Sequence, residues 1–380
     1  MFLFFAIAIT LSLVEAQKKK VYQSASELSH SSNMIRIGIT GSYGKSSVKE
    51  YLAAILSSQH ETLKTPDNIN SEIGASQFIN NSFSGSKAQY FVCEMGAYRI
   101  GEIQDLGNIV QHQHGFLTAI GTQHMGLFGS QENIKTGKSE IALSISKNNG
   151  RLYLNFDNEF TSKLDTSHAP NAYKITYGLG DGADAQAEIQ TVDEKGTSFV
   201  YTYQNQVYNF QTNLIGSAHI CNLSGALAFC FDEGMTYKQI QGALKSLPLP
   251  NHTLTIIKSG DLTLIDDSYN LSQESLVSGV EILQYFSGNT YIILDDVLEL
   301  GRNSAQIHKE LGEKIAQDIR GYYILYVGRN YKKEFLAGLT AGGFSEKNIL
   351  GELPELIGKN TLLFEGRETQ KLLNKYLGSK

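Results

Sequence analysis

The stretch Met34–Glu50, MIRIGITGSYGKSSVKE, decides the fold. Its first half places Ile35, Ile37 and Ile39 in the period of a strand. Thr40-Gly41-Ser42-Tyr43-Gly44-Lys45-Ser46-Ser47 follows, and Val48, Leu52, Ile55 and Leu56 then fall at helical spacing. Strand, glycine turn, Lys-Ser and helix is the layout of a phosphate-binding loop. Gly41 and Gly44 let backbone N–H groups approach a polyphosphate, and the new helix points its positive end at the anion. Lys45 can reach the β and γ oxygens, and Ser46 can ligate Mg²⁺. The spacing departs from the standard loop, which wants a glycine where Ile39 stands. Taken alone, the shorter form G-x-x-G-K-S-S also fits a plain glycine turn before a core helix.

A chain of 380 residues holds two or three domains. The net charge of −6 argues against a general nucleic-acid binder, so any phosphate recognition is local. Cys93, Cys221 and Cys230 sit inside apolar runs and read as buried thiols of a reducing compartment. Met1–Val14 is almost wholly apolar and is followed by Lys18-Lys19-Lys20. A signal peptide, a short membrane anchor and the remnant of a longer membrane segment compete for this stretch. An anchor with the lysines on the cytoplasmic side suits a nucleotide-using enzyme better. Residues 21–33 are polar and serine-rich and read as a linker.

From Met34 the pattern alternates strands and helices, as in an α/β domain with a mostly parallel sheet. Residues 35–40, 90–95, 115–120 and 151–155 read as strands, and 187–208 as an antiparallel edge hairpin turning at Glu194-Lys195-Gly196. Residues 219–231 and 237–247 read as helices. Pro248 and Pro250, in LPLPN, mark a domain boundary. A second, smaller Rossmann-like α/β unit follows, with strands near 262–266, 290–295, 322–327 and 361–364.

Several polar residues fall where such folds bind ligands, outside the carboxyl ends of strands. Glu94 ends an apolar strand and is a natural Mg²⁺ ligand, or else a strand-end carboxylate. His124 follows the next strand and shares that rim. Lys138, in TGKSEIA, is an ordinary lysine or one carbamylated by CO₂ into a metal ligand. Asn68, Asn70 and Glu72, in TPDNINSEIG, suit a recognition loop or a polar turn. His219 and Asn222 share a helix face. Asp267, Tyr269 and Asn270 close a strand of the second unit, facing an interdomain cleft.

The strings GITGSYGKSS, NINSEIG, CEMGAYRIGEI, IGTQHMGLFGS with GKSEI, GSAHICN, LIDDSYN and LDDVLELG with His308 occur in that order. On these residues the chain resembles the Mur ligase family, and within it the dipeptide-adding branch. The resemblance covers residues 34 to about 310, and the remainder fits the end of a C-terminal domain. It implies an ATP-dependent carboxylate–amine ligase that adds D-alanyl-D-alanine to a UDP-MurNAc-tripeptide-type precursor through an acyl phosphate. Lys45, with Gly41, Ser42, Gly44, Ser46 and Ser47, would hold the nucleotide phosphates. Ser46 and Glu94 would hold one Mg²⁺, and His124 with carbamylated Lys138 a second. Asn222 would meet the adenine, Asp267, Tyr269 and Asn270 the nucleotide from the far side, and Asn68, Asn70 and Glu72 the substrate. Tyr43, Thr253, Ser272 and Gln273 depart from the family pattern. On this resemblance, the family's N-terminal UDP-binding domain would have no counterpart in residues 1–33.

These observations set the expectations. Residues 1–33 form an apolar segment and linker, 34–250 the central ATP-binding domain and 251–380 the C-terminal domain. The substrates are small molecules, with no nucleic acid, and residues 1–20 associate with a membrane. The location is cytoplasmic, with possible tethering to the inner membrane face, and no oligomeric state follows. Two other readings fit less well: a ligase resembling poly-γ-glutamate synthases, and an inactive nucleotide-binding scaffold at a membrane.

Overall fold

Ile37 and Ile39 are fully buried in the strand Ile35–Thr40, which pairs in parallel with Tyr90–Glu94 on one side and His114–Leu117 on the other. The computed structural model describes residues 2–121, 125–147, 150–249, 252–269, 271–298 and 300–378. Ile35–Thr40 lies inside a nine-stranded sheet, ordered Thr62–Lys64, Tyr90–Glu94, Ile35–Thr40, His114–Leu117, Arg151–Asn155, Tyr173–Gly178, Ala185–Asp193, Gly196–Tyr203 and Gln206–Thr212. The chain runs to one edge and then returns past Ile35–Thr40 to the other side. A ligand crevice opens at such a reversal. The pairs are parallel as far as Ala185–Asp193, and the last three strands form an antiparallel meander. The expected edge hairpin therefore has a third strand, Gln206–Thr212, because Gln204 and Asn205 take left-handed φ of 50° and 60° and turn the chain again.

Val48, Leu52, Ile55 and Leu56 are fully buried on the helix Lys45–Ser57, which packs on one sheet face beside the helix Ser217–Asp232. Burial of each contributes about 1.5–3 kcal/mol. Helices Glu72–Ser82 and Glu102–Val110 cover the other face. Cys93, Cys221 and Cys230 are buried thiols, and burial pushes each above the usual cysteine range.

Residues 21–33 are not a linker. Phe2–Ser31 is one helix, and its C-terminal half docks on Glu72–Ser82 and Glu102–Val110. Ala25 and Ser29 are buried, Tyr22 and Leu28 pack beside them, and Ser26 donates to the Asn108 carbonyl at 3.0 Å. Small residues four apart let the helix sit close, and the serine-rich composition hides that stripe. Residues 10–20 are exposed. Among the described residues no helix is long and apolar enough to cross a membrane.

Beyond Leu244–Ser246 the chain enters a six-stranded sheet, ordered Thr255–Ser259, Leu262–Asp267, Asn360–Glu365, Asn289–Leu294, Tyr323–Tyr326 and Ile349–Leu350. All pairs are parallel except the first. Pro250 and Asn251 of LPLPN lie outside the described residues. Helices cover both faces, each over its own apolar cluster.

Candidate active site

Two walls face one another across a pocket of about 300 Å³. Tyr43, Gly44, Lys45, Ser46, Asn70 and Glu94 form the wall at the carboxyl ends of the nine-stranded sheet. Thr253, Leu254, Asp267, Tyr269 and Arg367 form the wall from the second sheet, with His219 and Asn222 also lining the space.

The first wall begins with backbone geometry. Gly44 has φ +80°, and a Cβ there would stand 2.6 Å from Asn222 Oδ1. Gly41 has φ +149°, and a Cβ would stand 2.1 Å from Thr118 Oγ1. Only glycine meets both demands. Gly44 is the N-cap of Lys45–Ser57 and offers no side-chain cap. The first-turn amides therefore remain available for an anion. Ser42 fastens the loop, its N–H donating to the Ala119 carbonyl at 2.6 Å and its Oγ accepting from the Gly121 N–H at 3.1 Å.

Lys45 Nζ donates to the carbonyls of Gly41 at 2.9 Å and Ser42 at 3.1 Å. Burial lowers its ammonium below the usual lysine range, and Glu94 opposes that shift. The amine is held at the loop, in reach of whatever the loop binds. Ser46 Oγ donates to Glu94 Oε2 at 2.9 Å, and Asn70 Nδ2 donates to Oε1 at 3.2 Å. A hydroxyl and a buried carboxylate joined at the mouth of an anion site are hard oxygen donors of the kind Mg²⁺ takes alongside water and phosphate. The residues present thus fit one Mg²⁺. Among the described residues no cluster of three or more His, Cys, Asp or Glu could hold a metal by itself.

Lys49 is a part of this wall that the sequence reading missed. Its Nζ, almost fully buried, lies 3.5 Å from Glu94 Oε2, 3.5 Å from Glu50 Oε1 and 3.6 Å from Asp67 Oδ1. Its place one turn after Lys45 was the available signal.

Lys138 does not line the pocket. It is 1% exposed, with Nζ donating to the Ala97 carbonyl at 3.2 Å and 5.7 Å from the centre of the Phe128 ring. Burial, and after it the Lys45 charge, push its ammonium well below the lysine range. A neutral amine is the form that reacts with CO₂. His124 and Asn270 lie outside the described residues.

Glu72 is not brought to the pocket beside Asn70. Ser71 caps the helix Glu72–Ser82, its Oγ accepting from the Gly74 N–H at 3.4 Å. This starts the helix at Glu72 and turns the carboxyl to Tyr22 of the first helix, where burial and then Asp105 and Glu102 raise its pKa. Asn68, at φ 64°, instead accepts a hydrogen bond from Tyr269 Oη at 2.5 Å, a direct link between the walls.

The second wall gathers strand ends and loops. His252 and Leu254 have left-handed φ of 56° and 43°, and Thr253 between them faces the pocket. His252 Nδ1 meets Asp266 Oδ2 at 2.7 Å. Asp267 Oδ1 accepts from the Leu254 N–H at 3.2 Å. Arg367 Nε donates to the Tyr269 carbonyl at 3.2 Å, adding a guanidinium that the sequence reading missed. No local motif surrounds Arg367. It reaches the pocket because Leu262–Asp267 and Asn360–Glu365 are neighbouring parallel strands.

His219 is buried, its Nδ1 2.5 Å from Tyr51 Oη, and burial pushes its pKa down to about 4. It is a neutral packing partner beneath Asn222.

A family model described as the Mur ligase middle domain matches residues 39–230. The UDP-N-acetylmuramoyl-tripeptide–D-alanyl-D-alanine ligase of Bacillus subtilis is 28% identical, over 88% of this chain and 74% of that protein. The protein of the same name from Buchnera aphidicola (strain APS) is 31% identical over 73% of this chain. The chain spans only 60% of that protein and 63% of the one from the Baizongia pistaciae strain. A MurF crystal structure from Acinetobacter baumannii matches with a TM-score of 0.85 at 24% identity, over 95% of this chain and 81% of the other. A MurF ligase structure from Thermotoga maritima, in complex with ADP, matches with a TM-score of 0.81 at 22% identity, over 94% and 83%.

Proposed function

Since this chain belongs to the Mur ligase family, we propose that it is an ATP-dependent carbon–nitrogen ligase adding D-alanyl-D-alanine to a UDP-MurNAc-tripeptide precursor of peptidoglycan. The observation that carries this reading is the facing of the uncapped helix start at Lys45–Ser47 by Asp267, Tyr269 and Arg367 across one pocket. The relatives bearing the ligase name, and the fold shared with a MurF–ADP complex, support it.

The residues act by position and charge. The loop amides and Lys45 bind and orient the ATP phosphates, and the tripeptide carboxylate lies in line with the γ-phosphorus. Carboxylate oxygen attacks, the bond to the ADP oxygen breaks, and an acyl phosphate forms. The dipeptide amine, having lost a proton to become neutral, then attacks the acyl carbon; its nitrogen gives up a second proton, and inorganic phosphate leaves with the bonding pair and takes that proton up. Lys45 holds a positive charge where the phosphates gain negative charge. Ser46 and Glu94 would hold Mg²⁺, which when bound supplies further neutralisation of the phosphates. Asn70 orients Glu94 through Oε1. Carbamylated Lys138 and His124 would hold a second Mg²⁺: the Lys138 nitrogen adds to CO₂, loses a proton and becomes a carbamate. Asn222 meets the adenine. Tyr269, tied to Asn68, keeps the walls closed and water out.

Residues 1–20 associate with a membrane surface in the same reading, on the cytoplasmic side. Leu11, Leu13 and Val14 are exposed beside Lys18, Lys19 and Lys20. Co-sedimentation with vesicles of anionic phospholipid tests this, and equal recovery without vesicles overturns it.

The deciding assay is phosphate release from ATP by the full chain, with UDP-MurNAc-tripeptide and D-alanyl-D-alanine together and separately. Release that needs both, with formation of the pentapeptide, is expected. Release indifferent to the dipeptide overturns the proposal.

A further inference from the structure

Asp267 and Glu365 occupy paired positions on neighbouring parallel strands, at the ends that face the pocket. Asp267 is 5% exposed and Glu365 is fully buried. Asp267 accepts one backbone N–H, from Leu254. Neither oxygen of Glu365 has a hydrogen-bond donor among the described residues. The helix Gln273–Leu283 presents Gly279 there, and a Cβ at that glycine would stand 2.2 Å from Glu365 Oε1. The cradle holds the carboxyl closely and, among the described residues, gives it no cation. Two buried carboxylates side by side, both ionised, would repel each other with little solvent to screen them.

The surrounding charges do not relieve this. Asp266 is tied to His252 and to Ser268. Asp295 accepts from the Glu368 N–H at 3.0 Å. Glu281 is turned to Ser217, and Arg367 to the Tyr269 carbonyl. Glu274 lines the pocket.

We infer that Asp267 and Glu365 share one proton, so that Glu365 is a positioning residue. It presents Asp267 to the pocket as half of a singly charged pair rather than as one of two anions. The remaining proton is held between the carboxyls, as in other paired-carboxylate sites. Burial raises both groups; Asp267 raises Glu365 further, while the hydrogen bond with Glu365 works to lower Asp267, in agreement with a proton carried on the Glu365 side of the pair. The consequence for the proposed reaction is electrostatic. A pair bearing one charge tolerates a polyphosphate on the opposite wall, and a doubly ionised pair repels it.

This rests on the pocket taking a nucleotide, so two readouts are needed. The first is the dissociation constant of a fluorescent ADP analogue, measured with the full chain from pH 6 to 9.5. Wild type is expected to lose affinity by about tenfold on the alkaline side, where the shared proton leaves. Glu365→Gln, which keeps one charge throughout, is expected to stay flat. Identical profiles overturn the inference. The second is infrared difference spectroscopy without nucleotide. Wild type should show a protonated carboxyl band at pH 7 that is missing from Glu365→Gln and from Asp267→Asn. Persistence of the band in both variants overturns the pair whatever the pocket binds. Failure of wild type to bind the analogue, with the band present, would instead count against the nucleotide reading alone.

Discussion

The two walls of the pocket are built by different means. The wall from the nine-stranded sheet is local: one strand, one turn and one helix start supply Gly41, Gly44, Lys45 and Ser46 within a few residues. The wall from the six-stranded sheet is assembled: Thr253, Asp267, Tyr269 and Arg367 come from separate segments joined only by strand pairing. Local construction fixes direction through backbone conformation, as the positive φ values of Gly41 and Gly44 do. Assembled construction fixes it through long-range register, so a fault anywhere in that sheet misplaces the wall. Damage to the first wall should therefore cost turnover, and damage to the second should cost affinity and closure.

The largest expected effect is on the local wall. Lys45→Ala should lower ATP turnover by at least about a hundredfold while leaving the melting temperature close to wild type. Turnover near wild type would break the comparison at its strongest point. Lys138→Ala should also lose most activity, and short carboxylates added to the assay should restore part of it by standing in for the carbamate. A fully active variant would remove Lys138 from the site.

Acid should act on the framework of the local wall. Burial holds His112, His114 and His219 at about 4. Each stays neutral in the fold and is protonated in the unfolded chain below its ordinary value of about 6.5. The stability they protect is complete above that value and is lost as pH falls toward 4, by roughly 1–3 kcal/mol per histidine. His112, remote from the pocket, gives the test. His112→Gln should melt lower at pH 7 but lose less on acidification, and an unchanged slope would sink the assignment.

The smallest effect belongs to the contact between the walls. Tyr269→Phe removes the hydrogen bond to Asn68, worth about 0.5–1.5 kcal/mol. It should raise KM for ATP by about two- to tenfold with little change in kcat. A fall in kcat at constant KM would mean that Tyr269 acts on the reacting groups and not on closure.

The same contrast explains what was legible beforehand. The loop, the strand ending in Glu94 and both mostly parallel sheets follow from short-range period and glycine placement. Asp267 and Tyr269 were visible as a polar cluster closing an apolar strand. Arg367 was not, because nothing near it in the chain differs from a surface loop. Glu72 was misplaced because a helix cap at Ser71 turns its carboxyl away from Asn70. Residues 21–33 misled because docking rests on Ala25 and Ser29, which carry almost no hydropathy signal.

The crowding of Gly44 by Asn222 limits how this protein can diverge. Any side chain at position 44 meets the Asn222 amide as well as the backbone penalty of φ +80°. A smaller residue at 222 would clear the space but leave the conformational penalty untouched. Neither substitution opens a neutral route to the other. Variants of the phosphate loop and of the helix Ser217–Asp232 should thus be inherited as a pair, a form of epistasis imposed by a single interatomic approach.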